Sequence, residues 1–517
     1  MTMLEVGSPP RLDGILARAA FSQPGREAVI CGDTVWTYAE VHDRARRLAG
    51  ALAALGVGRG DRVAYWATNR AEYAEVLFGV PMLGAIVSPL DHWWTRDDAV
   101  IALEQIRPKV LIVAGSQAAM IAGFQEGLEA AGVGWVLCLD EPPAERLFLD
   151  YRLHLGRATG LLTPAPVASS DPAVIFFTSG STGRSKGAVH THGSLVAAAM
   201  TMTLELGVRD GERTLHFLPL FSSCIEHLIP LTLVGATHII LPHFDAPAVW
   251  EAVRRFEVTH FDAVPTTLRR LLEVAPPSIP TSLRLISYAS EPMPAALITA
   301  LIERMPGVGF VQFYGMMEQL CLTVLSASDQ LRKIGTVGRP MLGAHLHLLD
   351  GVDEAAKASG AGEVIARSPT LFAGYWRDEA ATAQVMRQEG MRTGDIGRFD
   401  EDGFLILEGR AKEMIKTGGL TVIPAEIEGV LLEHPRVRDA AVVGVPDERW
   451  GEAVHAFVTV SPGTALLEDE LRSYCHERLA GYKRPKVFHI VSELPRTGIG
   501  KIARRLLRNQ VVESRAN

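Results

Sequence analysis

Short apolar, β-branched runs alternate with segments of helical period through most of this chain, and that alternation limits its fold more than any other feature. VHDRARRLAGALAALGV repeats its apolar residues at helical spacing, and RVAYWA follows as a strand. AEYAEVLFGVPMLGA reads as one helix and KVLIVAG as the next strand. Later THIIL, LRLISYAS and VGFVQFYG are strands, each preceded by a segment that fits a helix. Such alternation predicts a layered α/β architecture with largely buried strands. At 517 residues the chain exceeds a single hydrophobic core and has room for roughly two to four domains.

From about Gly360 the texture changes to strands and turns. GEVIARS, GYW and TGDIGRFDEDGFLILEGR follow one another, and DEDG between IGRF and FLIL is a hairpin signal. After Gly409 and Arg410 comes a compact α+β series: helix PAEIEGVLLEHP, strands AAVVGVP and EAVHAFVTV, helix LEDELRSYCHERLAGY, strand KVFHIV and basic helix KIARRLLRNQ. The expected division is a large N-terminal α/β domain over residues 1–409, with several subdomains and layered sheets. A linker at 410–413 and a small C-terminal α+β domain at 414–517 complete it.

The totals exclude several functions. There are 51 basic and 59 acidic residues, a net charge of −8, and no block of like charges, so an extended nucleic-acid surface is not expected. Cys31, Cys138, Cys224, Cys321 and Cys475 form no CxxC pair and read as reduced thiols of a cytoplasmic protein. The N-terminus lacks the basic start and apolar run of a signal peptide, and VLFGVPMLGAIVSPL is too short to span a bilayer.

The chemistry begins at residues 174–192, VIFFTSGSTGRSKGAVHTH, where a strand enters a loop of glycines and hydroxyls around Lys186. Glycines let backbone N–H groups turn inward, hydroxyls add donors and lysine adds charge, a combination suited to a phosphate chain. It is not a Walker A loop, because Ser185 precedes the lysine and Gly187 follows it.

This stretch resembles the phosphate-binding signature of the adenylate-forming superfamily, which includes acyl-CoA synthetases, carrier-protein adenylation domains and firefly-type luciferases. QFYGMMEQ at 312–319 resembles the family's YGxTE element. TGDIGRFDEDGFLILEGRAKEMIKTGG at 393–419 resembles its TGD, hinge and start of the small domain, and LPRTGIGKI at 494–502 its C-terminal lysine element. The resemblance implies a two-step reaction. A carboxylate attacks the α-phosphorus of ATP, giving acyl-adenylate and pyrophosphate, and the thiol of CoA then displaces AMP. Charge builds on the phosphoryl oxygens, so cations, Mg²⁺ and aimed N–H donors are needed.

By resemblance, Thr178, Ser179, Gly180, Ser181, Thr182, Gly183 and Lys186 hold the β- and γ-phosphates. Glu318 holds Mg²⁺, and Asp395 receives the ribose hydroxyls with Arg410 beside it. Tyr314 and Gly315 border the nucleotide, and Ser290, Glu291 and Pro292 stand in the adenine segment. Lys501 bridges carboxylate and α-phosphate. Lys412 matches the hinge about which the small domain turns for the second step, and Gly418 and Gly419 border the CoA tunnel. Lys416 is either a thioester-step contact or a surface lysine.

Two departures stand out. Met317 replaces the threonine whose hydroxyl reaches the α-phosphate, and methionine has no such donor. In LPLFSSCIEHLIP, Ser222 or Ser223 stands where the family often has histidine; His227 is either a substitute or a core residue. The expected acyl pocket is Phe221, Cys224, His227, Val264, Tyr288, Gly315 and Met316, with no lysine or arginine, which favours a fatty or aromatic monocarboxylic acid. The pair Trp93–Trp94 is expected to pack in the core or between domains. The leading reading is a carboxylate–CoA ligase. Its alternatives are a stand-alone enzyme loading an acyl-carrier protein, a nucleotide-binding relative that no longer ligates, and, formally, a luciferase-like oxygenase. Monomer and homodimer remain open at this level.

Overall fold

The computed structural model describes residues 10–161, 163–178, 185–349, 360–418, 420–460, 464, 466–496 and 502–516. Two sheets dominate the larger part. One has eight strands, in the order Gly374–Tyr375, Lys186–Thr191, Pro172–Thr178, Ile86–Pro89, Arg62–Trp66, Val110–Val113, Trp135–Cys138, Phe148–Asp150. The other has nine: Arg339–Pro340, Leu320–Leu325, Gly309–Met316, Leu285–Tyr288, His260–Ala263, Arg213–His216, Thr237–Ile240, Glu27–Cys31, Thr34–Thr37. Their central strands pair in parallel, as helical crossovers require.

Strand alternation explains the layering. In the eight-stranded sheet Val63, Tyr65 and Ile112 face an inner core, whereas Ala64, Trp66 and Leu111 face the outer helices. The inner core also receives Val29 and Ile240 from the second sheet, with the helices Leu12–Ser22, Tyr38–Ala54 and His192–Leu206 between. Helices Ala246–Arg255, Pro265–Glu273 and Ala295–Arg304 cover the second sheet's far side. The result is helix, sheet, helix, sheet, helix, with strands buried on both faces.

Residues 72–83 depart from the expected single helix. The α-helix Glu72–Gly79 tightens into a 3-10 turn, Val80–Leu83, because Pro81 lacks the N–H that an α-helical continuation would use. The tryptophan pair also divides. Trp94 packs edge-on against Phe177, but Trp93 is 53% exposed, lying over His92 and edge-on to Phe221.

A third, antiparallel sheet contains His345–Leu349, Gly362–Arg367, Gly390–Phe399, Met386–Arg387 and Leu405–Arg410. Its hairpin turns at DEDG, where the Asp400 carboxylate accepts the N–H groups of Asp402 and Phe404. GYW leaves this texture: Gly374–Tyr375 joins the edge of the eight-stranded sheet, pairing with Ala188 and Val189. From Ile415 onward the chain builds a sheet of its own, Leu420–Val422, Ile415–Thr417, Gly451–Val460, Val437–Asp447 and Val487–Ile490, with separate cores.

Candidate active site

One β-hairpin organises the site. The strands Gly309–Met316 and Leu320–Leu325 pair antiparallel, and Gln319 N–H closes the turn on the Met316 carbonyl at 2.9 Å. Met317 and Glu318 are thus the two corner residues of the turn. Position 315 admits only glycine, since a Cβ there would lie 1.7 Å from the Leu320 carbonyl oxygen.

On the strand below the turn, the Tyr314 hydroxyl donates to Asp395 Oδ2 at 2.7 Å. Asp395 Oδ1 meets Arg410 Nε at 3.0 Å, because register places the two residues opposite each other across Gly390–Phe399 and Leu405–Arg410. Burial, then the Asp395 carboxylate, pushes the Tyr314 phenol well above its usual range, so it remains a donor.

At the turn itself the Tyr375 hydroxyl donates to Glu318 Oε1 at 2.7 Å, and Lys186 Nζ lies 5.1 Å from the centre of the Tyr375 ring. Burial and then Glu318 raise the Tyr375 phenol. Glu318 and Tyr375 both lie within electrostatic reach of Arg410, which links the two clusters. Tyr375 escaped the sequence reading, because only the pairing of its two-residue strand brings it to Lys186. Lys186 begins the strand Lys186–Thr191, cross-paired with Thr178, which lies before the glycine-rich loop. Ser179, Gly180, Ser181, Thr182 and Gly183 lie outside the described residues, as do Gly419 and Lys501.

Met317 has a backbone role. His190 Nε2 donates to its carbonyl at 2.6 Å, and burial lowers that imidazole to about 4, keeping it neutral. The thioether side chain packs between the inner core and the Phe372–Tyr375 cluster, which Met316 also joins.

In the adenine segment Ser290 adopts φ +73 and Pro292 is exposed. Glu291 Oε2 accepts from the Thr266 hydroxyl at 2.8 Å. Its Oε1 is buried without a hydrogen bond and lies 3.9 Å from Arg496 Nη1 of the C-terminal unit. Arg496 Nη2 also meets Asp439 at 3.4 Å, and Arg496 pairs with Ile502 in an antiparallel bridge. Arg496 stands within LPRTGIGKI, but nothing local in that motif points to its contact with Glu291.

The expected acyl residues separate. Phe221 is half-buried, edge-on to His92 and Trp93, and half-buried Val264 caps the helix Pro265–Glu273. Cys224 is a correction. It lies in the inner core, its thiol 3.3 Å from the Tyr73 hydroxyl and pushed up by burial to about 12. Tyr288 is another: alternation sends it into the outer core, where its hydroxyl donates to Gln330 Oε1 at 2.6 Å. His227 is buried, its Nε2 3.0 Å from the Ser287 hydroxyl.

Lys412 is exposed in the turn that follows Arg410, where Glu413 N–H donates to the Arg410 carbonyl at 2.9 Å. Lys416 is exposed on Ile415–Thr417, with its N–H on Glu452 at 2.8 Å. Gly418, at φ +57, abuts the Trp450 ring. Among the described residues no group of three His, Cys, Asp or Glu side chains is placed to hold a metal ion, and no helix is long and apolar enough to cross a membrane.

One hairpin thus carries a member of each of two clusters, Tyr314 with Asp395 and Arg410, and Glu318 with Tyr375 and Lys186. The chain belongs to the AMP-binding enzyme family, whose model matches residues 16–376, and the family's C-terminal domain model matches residues 426–501. It is 35% identical over 493 residues to a feruloyl-CoA synthase of Amycolatopsis sp, spanning 94% of this chain and 96% of that one. It is 34% identical to the long-chain-fatty-acid–CoA ligase FadD13 of Mycobacterium tuberculosis, over 92% and 93% of the two chains. Among solved structures, the anthranilate CoA ligase AuaEII in complex with anthranoyl-AMP superimposes with a TM-score of 0.88 at 28% identity, over all of both chains.

Proposed function

We propose that this chain is an AMP-forming carboxylate–CoA ligase. It converts a fatty or aromatic monocarboxylic acid and ATP to an acyl-adenylate with release of pyrophosphate, then passes the acyl group to CoA with release of AMP. The observation that carries this reading is the single hairpin holding one member of each cluster: Tyr314 on Asp395 and Arg410, Glu318 on Tyr375 and Lys186.

A carboxylate oxide is a poor leaving group, and AMP is a good one, so activation precedes thiol attack. Asp395 retains acceptor capacity beyond its two bonds and would receive the ribose hydroxyls. Thr178, Lys186 and the loop 179–183 would hold the leaving pyrophosphate, with Lys186 kept in place by its contact with Tyr375. Glu318, whose Oε1 accepts from the Tyr375 hydroxyl, would offer its carboxylate to a Mg²⁺ that completes its shell with phosphate oxygens and water. Such an ion supplies charge neutralisation on the polyphosphate. Ser290, Glu291 and Pro292 would flank the adenine.

Residues 410–413 would be the hinge and 414–517 the moving unit, carrying Lys501 to the α-phosphate for the first step. In the second, Lys416, Gly418 and Gly419 would border the pantetheine path. The contact of Arg496 with Glu291 supports a docked arrangement of the C-terminal unit on the large domain. The cytoplasm is the expected compartment.

Incubating the protein with ATP, Mg²⁺, CoA and a panel of carboxylic acids, with mass-spectrometric readout, tests the reading. One or more acyl-CoA products with stoichiometric AMP are expected. Transfer only to a phosphopantetheinylated carrier would replace CoA by a carrier protein, and no pyrophosphate release with any acid would overturn ligation itself.

A further inference from the structure

The strand that carries Lys186 has a tie that strand pairing does not supply. The antiparallel ladder between Pro172–Thr178 and Lys186–Thr191 ends at the pair Thr178 and Lys186, so Ser185 lies one residue beyond it. The Ser185 carbonyl accepts instead from Gln105 Nε2 at 3.2 Å, across eighty residues of sequence.

Gln105 stands near the end of the helix Arg96–Ile106. Ala99, Ala102, Leu103 and Ile106 turn the apolar face of that helix into the outer core, and half-buried Gln105 flanks them. Arg62 fixes the helix end. Its Nε donates to the Ile106 carbonyl at 2.6 Å and its Nη2 to the Arg107 carbonyl at 2.8 Å, groups that a helix terminus leaves without intrahelical donors.

The Arg62 guanidinium also lies 5.4 Å from the centre of the Trp376 ring. Trp376 N–H in turn donates to the Gly187 carbonyl at 2.7 Å. These contacts close a ring: helix end, Ser185, Gly187, Trp376, Arg62 and the helix end again. Lys186 is the residue between the two tied carbonyls, with its Nζ 5.1 Å from the centre of the Tyr375 ring.

A trans peptide is planar, and its carbonyl and N–H point in opposite directions. Holding the Ser185 carbonyl therefore fixes the plane that carries the Lys186 N–H, and with it the direction in which the chain enters the strand. Fold stability gains little from this bond, because water serves a carbonyl on a half-buried residue nearly as well.

We propose that Gln105 is a positioning residue for adenylation, holding the return of the glycine-rich loop so that Lys186 meets the β- and γ-phosphates of ATP in one orientation. The proposal rests on the ligase reading above. Gln105 acts through the polyphosphate, which ATP carries and an acyl-adenylate does not. Its effect therefore belongs to the first half-reaction and is absent from the second.

The test compares Gln105→Met and Gln105→Glu, which keep the side chain's length and its helix propensity but lose the amide donor. Pyrophosphate release with an accepted acid should fall about tenfold in kcat/KM for ATP, with KM for the acid unchanged. Thioester formation from supplied acyl-adenylate and CoA should keep the native rate, and the melting temperatures should match. Native kcat/KM for ATP in both variants, or equal loss in the two half-reactions, would overturn the proposal and leave the ligase reading intact. A loss in only one variant would mark its new charge or thioether rather than the missing donor, and would overturn it as well. No pyrophosphate release by the native protein with any acid would remove the ligase reading, and the proposal with it.

Discussion

Tyr375 and Met317 show how single side chains adjust this site. The Tyr375 hydroxyl holds one oxygen of Glu318, and its ring faces Lys186. Tyr375→Phe keeps the ring and releases the carboxylate, so kcat/KM for adenylation should fall about tenfold, with a raised Mg²⁺ requirement. Unchanged kinetics would remove Tyr375 from the site. Met317→Thr returns a hydroxyl to the turn at the expense of a side chain packed against two cores. It should speed pyrophosphate release several-fold and lower the melting temperature; slower release would mean that the hydroxyl does not reach the phosphate. Lys186, Glu318, Asp395 and Arg410 were legible because they stand inside contiguous motifs. Tyr375 was not, because a strand pairing across nearly two hundred residues of sequence brings it there.

Elements were read where periodicity is local. The alternating helices and strands and the DEDG hairpin follow from apolar spacing and turn chemistry, and the helix predicted over residues 71–85 tightened at Pro81. What spacing does not reveal is how one element docks on another. Arg496 contacts the large domain at Glu291, whose Oε1 has no hydrogen bond. Arg496→Ala removes the cation beside that buried oxygen and should loosen the docked arrangement. Adenylation is expected to slow about tenfold, while thioester formation from supplied acyl-adenylate stays near the native rate. Lys501→Ala should show the same division more strongly, on the order of a hundredfold in the first step. Equal loss in both steps for either variant would contradict a role confined to adenylation.

At the scale of the whole molecule, the five layers bury ionisable groups that a sequence pattern cannot place, because no local motif marks the positions that burial will reach. His190, His216, His227, His238 and His260 are all buried and neutral. Their folded values lie below the ordinary 6.5, so on acidification the unfolded chain takes up protons that the native protein refuses. This contribution to stability is complete above pH 6.5 and is lost as pH falls toward 4. Glu75, raised to about 7, Asp91, raised to about 6, and Asp262 act in the opposite sense, but they are outnumbered. Unfolding free energy should therefore decline between pH 6.5 and pH 5 in denaturant titrations. His238→Gln should flatten that decline by about 2 kcal/mol, at roughly 1.4 kcal/mol per pKa unit over that interval. Stability that is level down to pH 5, or a slope unaltered in the variant, would show that these histidines reach solvent in the folded protein.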